Sequence, residues 1–267
     1  MKGIVLMLTV TLALVLAIAG GIYYSVNNVG KKIEYLFTQD VEETSKTVPF
    51  SASGTLDATT TNGSITITGH DESTMIINII KKGQKEHFAD VVVKETITED
   101  HVTLSCNYRN KVNASIALNH IASVSYEITL PKTATVTCNT VNGAIVITDV
   151  AGIVNITSNN GSLTCTDTPQ VAQAQTVNGS VTLETTSLTV PNCSLQTVNG
   201  SIDFHTENLT SDSVTLNSVN GSVSLEVPSP LTTNGTKQHL SCTSGKTKIE
   251  ASTVNGRVSA TTIALSN

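Results

Sequence analysis

The chain has 267 residues, a net charge of −6, 13% charged residues and 3% aromatic residues, with no tryptophan. An acidic balance without a cluster of basic residues and interleaved aromatics argues against a nucleic-acid-binding protein. Thr, Ser, Val and Asn are abundant and apolar residues rarely recur at helical spacing, so the composition predicts an all-β protein.

The N-terminal segment, residues 1–30, contains an uncharged run of 22 residues from Gly3 to Tyr24. At about 1.5 Å per residue, a helix of this length spans the roughly 30 Å hydrocarbon core of a bilayer. Ala17-Ile18-Ala19 also fits a signal-peptidase site, so a cleaved signal peptide is the alternative. We expect a retained single-pass transmembrane helix at the cell membrane, because the run continues to the interfacial pair Tyr23-Tyr24. Either alternative places the rest of the chain on the extracytoplasmic side, or secretes it if the signal is cleaved.

Two segments separate this run from the repeats. Residues 31–49 are mixed and mostly polar, and we interpret them as a stalk linker. Residues 50–130 contain strand-like runs at irregular spacing, such as Met75 to Ile80 and Val124 to Ile128, and a single Asn-Gly pair. We predict that they form an N-terminal β-region that caps the repeats of residues 131–267.

A short phrase, Thr-Val-Asn-Gly followed by an alternating tail, recurs with small variations along the chain. From Asn142 the intervals between successive Asn residues are 18, 18, 21, 21 and 35. Self-similarity at a nearly fixed period indicates a repeat architecture. The structural turns predicted from this phrase are Asn62-Gly63, Asn142-Gly143, Asn160-Gly161, Asn178-Gly179, Asn199-Gly200, Asn220-Gly221 and Asn255-Gly256.

Within each copy the residues three and five positions after the Asn are apolar or small, and the residue between them is usually polar. Such alternation is typical of a half-buried strand. The residue four positions before the Asn is also apolar or small in every copy. Each copy therefore predicts a strand, an Asn-Gly turn and a second strand, and the inward residues Leu183, Phe204 and Leu225 should stack from copy to copy.

The Asn-Gly pairs allow two folds, because Asn-Gly between alternating strands is also a strong hairpin signal in which both residues tolerate positive φ. An antiparallel β-sandwich is thus the alternative. The return of the same residue types at the same offset favours a right-handed parallel β-solenoid or β-roll, with the Asn side chains bonded along the array. Asn234-Gly235 lacks the alternating tail, so we expect an irregular last coil.

Five cysteines, an odd number, leave at least one thiol unpaired in a monomer. They show no C-x-x-C pair and hence no zinc spacing. Cys138 and Cys165 take inward positions of neighbouring copies, where a free cysteine acts as a small hydrophobe. Core filling is the interpretation, and one disulfide between these two residues is the alternative in an exported protein.

These features resemble the putative-adhesin family of bacterial and archaeal β-strand-repeat domains. The resemblance rests on Thr61 to Ile67, on the phrase Val124 to Pro131, and on the repeated Thr-Val-Asn-Gly units, and it covers residues 50–265. It implies a β-solenoid-like domain on the outer side of the membrane. It implies no catalytic residues, because the family offers no catalytic motif to transfer.

One group of charged residues is a candidate surface patch. Six positions after the Asn, three consecutive copies carry Glu184, His205 and Glu226, and Asp203 points the same way. In a parallel stack these residues line up about 4.8 Å apart. A solvated face is the ordinary interpretation, and weak divalent-metal binding or an acidic contact for a partner is the functional alternative.

The sequence predicts a non-catalytic structural or adhesive module at the cell surface, with no cofactor, no metal site and no nucleic acid as partner. Nucleophile-elbow, zinc-protease, P-loop and dinucleotide motifs are absent from the sequence. The expected partners are the membrane, through the N-terminal helix, and a cell-surface polysaccharide or protein. A carbohydrate-active β-helix enzyme is the alternative, although the outward positions are mostly Thr and Ser rather than clustered acids and bases.

Overall fold

The computed structural model describes residues 40–108, 122–228, 231–244 and 246–263. These ranges are almost entirely β-structure, with one short 3₁₀ helix at Lys85–Asp90, so the all-β prediction is confirmed. The strands are β1 (Asp40–Pro49), β2 (Thr55–Asn62), β3 (Ile65–His70), β4 (Thr74–Gly83), β5 (Val91–Ile97), β6 (His101–Tyr108), β7 (Ser123–Pro131), β8 (Thr135–Asn142), β9 (Ile145–Thr148), β10 (Val154–Asn160), β11 (Leu163–Thr166), β12 (Val171–Asn178), β13 (Val181–Leu188), β14 (Asn192–Asn199), β15 (Ile202–Leu209), β16 (Ser213–Asn220), β17 (Val223–Pro228), β18 (Leu231–Gly235), β19 (His239–Ser244), β20 (Thr247–Thr253) and β21 (Val258–Ile263).

The strands form two large mixed sheets. The first sheet has ten strands in the order β1-β4-β7-β3-β9-β11-β13-β15-β17-β21. The second has eleven strands in the order β18-β19-β20-β16-β14-β12-β10-β8-β2-β6-β5. Each repeat contributes the strand before its Asn to the second sheet and the strand after its Gly to the first, and we call this pair of strands a coil.

Equivalent strands of successive coils pair in parallel and in register. Asn142, Asn160 and Asn178 lie opposite one another in β8, β10 and β12, and Leu163 of β11 lies between Ile145 and Val181 in the first sheet. The predicted parallel stacking is confirmed for the repeats, and the antiparallel-sandwich alternative is wrong for them. The physical reason is that a common register buries the same apolar offsets in every coil.

The inward residues of both sheets belong to one hydrophobic cluster. Leu183, Phe204 and Leu225 are partners in register on β13, β15 and β17, and each is at most 2% exposed. The predicted stack of these three side chains is confirmed. The residues four positions before each Asn, from Ala58 to Ala251, are also buried.

Residues 50–130 contribute both coils and edge strands. The coil of β2 and β3 pairs with β8 and β9 of the first regular repeat, although 80 residues separate Asn62 from Asn142. On its other side, β2 and β3 pair in parallel with β6 and β7, which come later in the chain. Strand β4 is antiparallel to β7, and β5 is antiparallel to β6.

The long interval between Asn220 and Asn255 contains an antiparallel insertion. Strand β18 is antiparallel to β19, and β19 is antiparallel to β20, whereas β20 returns to parallel pairing with β16. Gly235 has a φ of +149° in this segment. The predicted irregularity of the last coil is therefore confirmed.

The Asn-Gly pairs do not act as positive-φ turns, contrary to the prediction. Of the seven Asn residues none has a positive φ, and of their glycines only Gly63 does, at +147°. The glycines are instead required by close approach of backbones. A Cβ on Gly143, Gly161, Gly179, Gly200, Gly221 or Gly256 would lie 1.8–2.3 Å from the carbonyl oxygen of the glycine in the preceding coil. Every side chain larger than hydrogen is excluded by that contact.

The Asn side chains form a continuous ladder, as predicted. Each Nδ2 donates to the Oδ1 of the Asn in the preceding coil, at 2.7–2.8 Å, from Asn255 back to Asn62. Two positions before each Asn, a Thr or Ser hydroxyl donates to the glycine carbonyl of the preceding coil in six of the repeats, at 2.7–3.1 Å. The repeated phrase therefore makes hydrogen bonds between coils that add to the backbone pairing.

All five cysteines are buried. Cys138, Cys165, Cys193 and Cys242 are free thiols, so the disulfide alternative for Cys138 and Cys165 is not realised and core filling is the correct interpretation. Burial raises the pKa of each of these four thiols and sets that of Cys193 at about 12. The thiolate, which is the reactive form, is thereby disfavoured.

The predicted transmembrane segment, residues 1–30, lies outside the described residues, as do residues 31–39 of the stalk. Residues 40–49 of the expected stalk form β1, next to β4 in the first sheet. Among the described residues no helix has the length and apolar character needed to cross a membrane.

Candidate functional site

The predicted charged patch lies on the outer face of the first sheet. The register places Glu184 opposite His205, His205 opposite Glu226, and Asp203 opposite Thr182. The Nδ1 atom of His205 lies 2.9 Å from Oε2 of Glu226, and both side chains are more than one third exposed. The alignment predicted from the repeat offset is thus present.

The chemistry of this patch is limited. Within the described ranges no three His, Cys, Asp or Glu side chains come together as a metal site. An exposed side-chain contact such as that between His205 and Glu226 contributes typically less than about 1 kcal/mol, because solvent screens it. The geometry suits a solvated face, and a role in partner contact stays a prediction for Glu184, Asp203, His205 and Glu226.

The outer face of the second sheet carries exposed valines, which were not predicted from the sequence. One position before the ladder Asn stands an exposed valine in five coils, with exposed fractions from 38% to 62%: Val141, Val177, Val198, Val219 and Val254. Asn159 takes this position in the coil of Asn160 and interrupts the row. The strand alternation turns these valines away from the core, so the row is a surface feature of the array.

A second row runs beside the valines, three positions before each Asn. The register of β10, β12, β14, β16 and β20 aligns Thr157, Gln175, Gln196, Asn217 and Ser252. Together with Val177, Val198, Val219 and Val254, this row lines a shallow groove of about 490 Å³. We call this feature the amide–valine groove.

Every residue that lines the amide–valine groove is uncharged. The groove therefore offers neither a general acid or base nor a charged ligand for a metal, and acid–base catalysis by its lining residues is not available. It offers hydroxyl and amide groups beside apolar methyl groups. Such a surface can bind a molecule that is itself both polar and apolar and carries no charge.

Part of the hydrogen-bonding capacity of the groove is unused within the protein. The amides of Gln175 and Asn159 have no side-chain hydrogen bond to the described part of the chain. Gln196 donates from Nε2 to Ser194 Oγ at 3.0 Å, which leaves its Oε1 available. Asn217 Oδ1 accepts from Ser252 Oγ at 2.6 Å, which leaves its Nδ2 available. A row of donors and acceptors thus lies beside a row of methyl groups along the groove.

The sequence carried a signal for this groove. In Thr-Val-Asn-Gly the valine stands one position before the Asn, whereas the inward residues stand two and four positions before it. Because successive side chains of a strand point to opposite faces, the valine must face outwards. An apolar residue that recurs at an outward position indicates a surface function rather than core packing. The amide row is visible in the same way, because Gln175, Gln196 and Asn217 share one offset from the ladder.

Comparisons with known proteins gave structural neighbours only. No protein-family model and no curated protein matches the chain. Among solved structures, a putative cell adhesion protein from Clostridium sporogenes is 12% identical, with 84% of this chain and 100% of that chain covered and a TM-score of 0.49. A putative adhesin from Bacteroides fragilis is 15% identical, with 83% and 97% covered and a TM-score of 0.36.

This chain is similar to solved proteins named as adhesins. A protein from Parabacteroides distasonis named as a putative lipid binding protein is 10% identical, with 84% of this chain and 97% of that chain covered and a TM-score of 0.28. The names of the first two neighbours match the resemblance of the repeat phrases to the putative-adhesin family. Identities this low say nothing about what the present chain binds.

Proposed function

We propose that the chain is a non-catalytic adhesive module that binds a surface polymer through the amide–valine groove. The observation that carries the proposal is the groove itself: an exposed apolar row beside unused amide groups, repeated in register over successive coils. The exposure of apolar surface to water is unfavourable, so a partner that covers the valines would gain binding free energy. A repeated surface also binds a long partner with many weak contacts at once.

The location of the module is part of the proposal. The uncharged run from Gly3 to Tyr24 supports a membrane anchor, with the repeats on the extracytoplasmic side, or secretion if the run is cleaved. An array anchored in this way would be placed to contact polymers of the cell surface. We also propose the right-handed sense of winding, since parallel crossovers in proteins are nearly always right-handed.

The adhesive function is tested by retention of the full-length chain on immobilised extracellular polymers: proteins, neutral polysaccharides and acidic polysaccharides. We expect retention on at least one of them without sustained release of soluble product. Val198→Glu, which places a charge in the groove, should abolish retention. Val141→Glu is the matched control, because Val141 is equally exposed in the same row but does not line the groove.

Three outcomes would overturn the proposal or the site that it names. Failure of the chain to be retained on any polymer would remove the adhesive function. Continued release of soluble sugar from a polysaccharide would favour the enzyme alternative. Equal loss of retention in both valine variants would show that the groove is not the binding surface.

A further inference from the structure

We propose that the amide–valine groove binds a neutral, repeating glycan chain laid along the array, across the coils. The proposal rests on the adhesive function above and names its ligand class. The groove runs from Thr157 on β10 to Ser252 on β20, over five neighbouring strands of the second sheet. Strands in a sheet lie about 4.8 Å apart, so the groove extends over about 19 Å.

The absence of charge selects a neutral ligand. No lysine or arginine lines the groove to pair with a carboxylate, sulfate or phosphate of an acidic polymer, and no carboxylate lines it to pair with a basic one. The next outward row, five positions before each Asn, consists of Asn155, Gln173, Ser194, Thr215 and Glu250 in the coils of the groove. Its one charged residue, Glu250, lies in the terminal coil, where its Oε1 is 2.7 Å from Lys248 Nζ. A charged polymer would lose its hydration on this surface without gaining an ion pair.

The hydrogen-bonding groups favour a sugar over a peptide. Each hydroxyl group of a sugar both donates and accepts, which matches the mixture of free amide N–H and carbonyl groups on Gln175, Asn159 and Asn217. A peptide that joins a sheet does so through backbone pairing at a free edge. In the groove the backbone is already paired with the strand on either side, as for β14 between β12 and β16. A peptide would therefore gain no backbone pairing there.

The repetition favours a polymer with one repeating unit. The same offsets present an amide or hydroxyl and a valine in successive coils, so equivalent contacts recur about every 4.8 Å. An extended β-linked glycan likewise presents a C–H face with each successive sugar, whereas its equivalent hydroxyl groups recur on one side with every second sugar. Val177, Val198 and Val219 would contact the C–H faces of successive sugars, while the amide row would bond their hydroxyl groups. The affinity should rise with oligosaccharide length until the chain is as long as the groove.

The test compares binding of the full-length chain to cellulose and chitin, which are neutral, with binding to alginate, which is acidic, and to collagen as a protein surface. We expect binding to at least one neutral glycan, with little change between low and high salt, because no ion pair is involved. Gln175→Glu keeps the shape of the side chain but replaces an amide by a charge. It should weaken the binding about tenfold, whereas Val198→Ala, which removes only apolar contact, should weaken it severalfold.

Asn208→Asp is the matched control, since it makes the same amide-to-carboxylate change at an exposed position of β15 in the other sheet. It should leave binding within about twofold of the parent chain. Unfolding midpoints of all three variants show whether each retains its fold. Binding only to collagen or only to alginate would overturn the glycan proposal and leave the adhesive function standing. Equal binding by Gln175→Glu, Asn208→Asp and the parent chain would also overturn it.

Discussion

Each interior residue of the Asn ladder both donates and accepts. Asn199 donates from Nδ2 to Asn178 Oδ1 at 2.7 Å and accepts at Oδ1 from Asn220 at 2.8 Å. The amide group is the only side chain of this size with a donor and an acceptor in fixed positions. The residue that follows must be glycine, because any added Cβ would lie 1.8–2.3 Å from a carbonyl oxygen of the preceding coil. The Asn is therefore required for its hydrogen bonds and the Gly for the close approach of the backbones.

The polarity of the ladder predicts that the same substitution has different costs at its end and in its interior. Asn199→Asp replaces the donor with an oxygen that faces Asn178 Oδ1, and should destabilise the fold by about 1–3 kcal/mol. Asn62 accepts from Asn142, but its own Nδ2 has no side-chain acceptor among the described residues. Asn62→Asp should therefore have little effect. Urea unfolding at neutral pH measures both, and equal costs would show that the ladder does not contribute to stability.

At the scale of the strand, the core depends on a few large side chains in register. Phe204 of β15 is 2% exposed and lies between Leu183 and Leu225. Phe204→Ala removes buried area and leaves a cavity between rigid neighbouring coils, so it should cost about 3–5 kcal/mol. Val219→Ala on the outer face is the control and should cost well under about 1 kcal/mol. A small change in the urea midpoint of Phe204→Ala would mean that the coils collapse around the missing ring.

The repeat strands could be predicted because their information is local. Alternation around each Asn identifies the inward residues, and the constant offset sets the register, as Leu183 and Phe204 show. The position of β6 and β7 beyond β2 and β3 could not be predicted. It depends on pairing between segments far apart in the chain, such as Thr55 with His101 and with Thr135, which no local pattern reports.

The groove shows the same limit at the candidate site. The outward direction of Val177 and Gln175 follows from strand parity, but a groove also depends on how side chains of different length stand beside one another in adjacent coils. The charged patch could be predicted because Glu184, His205 and Glu226 share one offset. Whether three metal-ligating side chains come close enough to hold an ion could not be predicted, since that depends on distances rather than register, and among the described residues none do.

For the whole molecule, the buried thiols make stability depend on alkaline pH. Burial raises the pKa of Cys193 from 9.0 to about 12, and it also raises the pKa of Cys138 and Cys165. Above pH 9 the unfolded chain loses these thiol protons, while the folded chain keeps them. The unfolded state then binds fewer protons than the folded state, so the free energy of unfolding falls as the pH rises.

Cys193→Ala tests this dependence by removing one of the thiols. One group whose pKa is raised on folding contributes a slope of about 1.4 kcal/mol per pH unit between its unfolded and folded pKa values. We expect the variant to be less stable than the parent chain at pH 7, because it loses buried volume, but to lose less stability between pH 9 and pH 11. Tyrosine and lysine titration is common to both chains and cancels in the difference. Parallel curves of unfolding free energy against pH for the two chains would show that Cys193 ionises in the folded state as readily as in the unfolded chain.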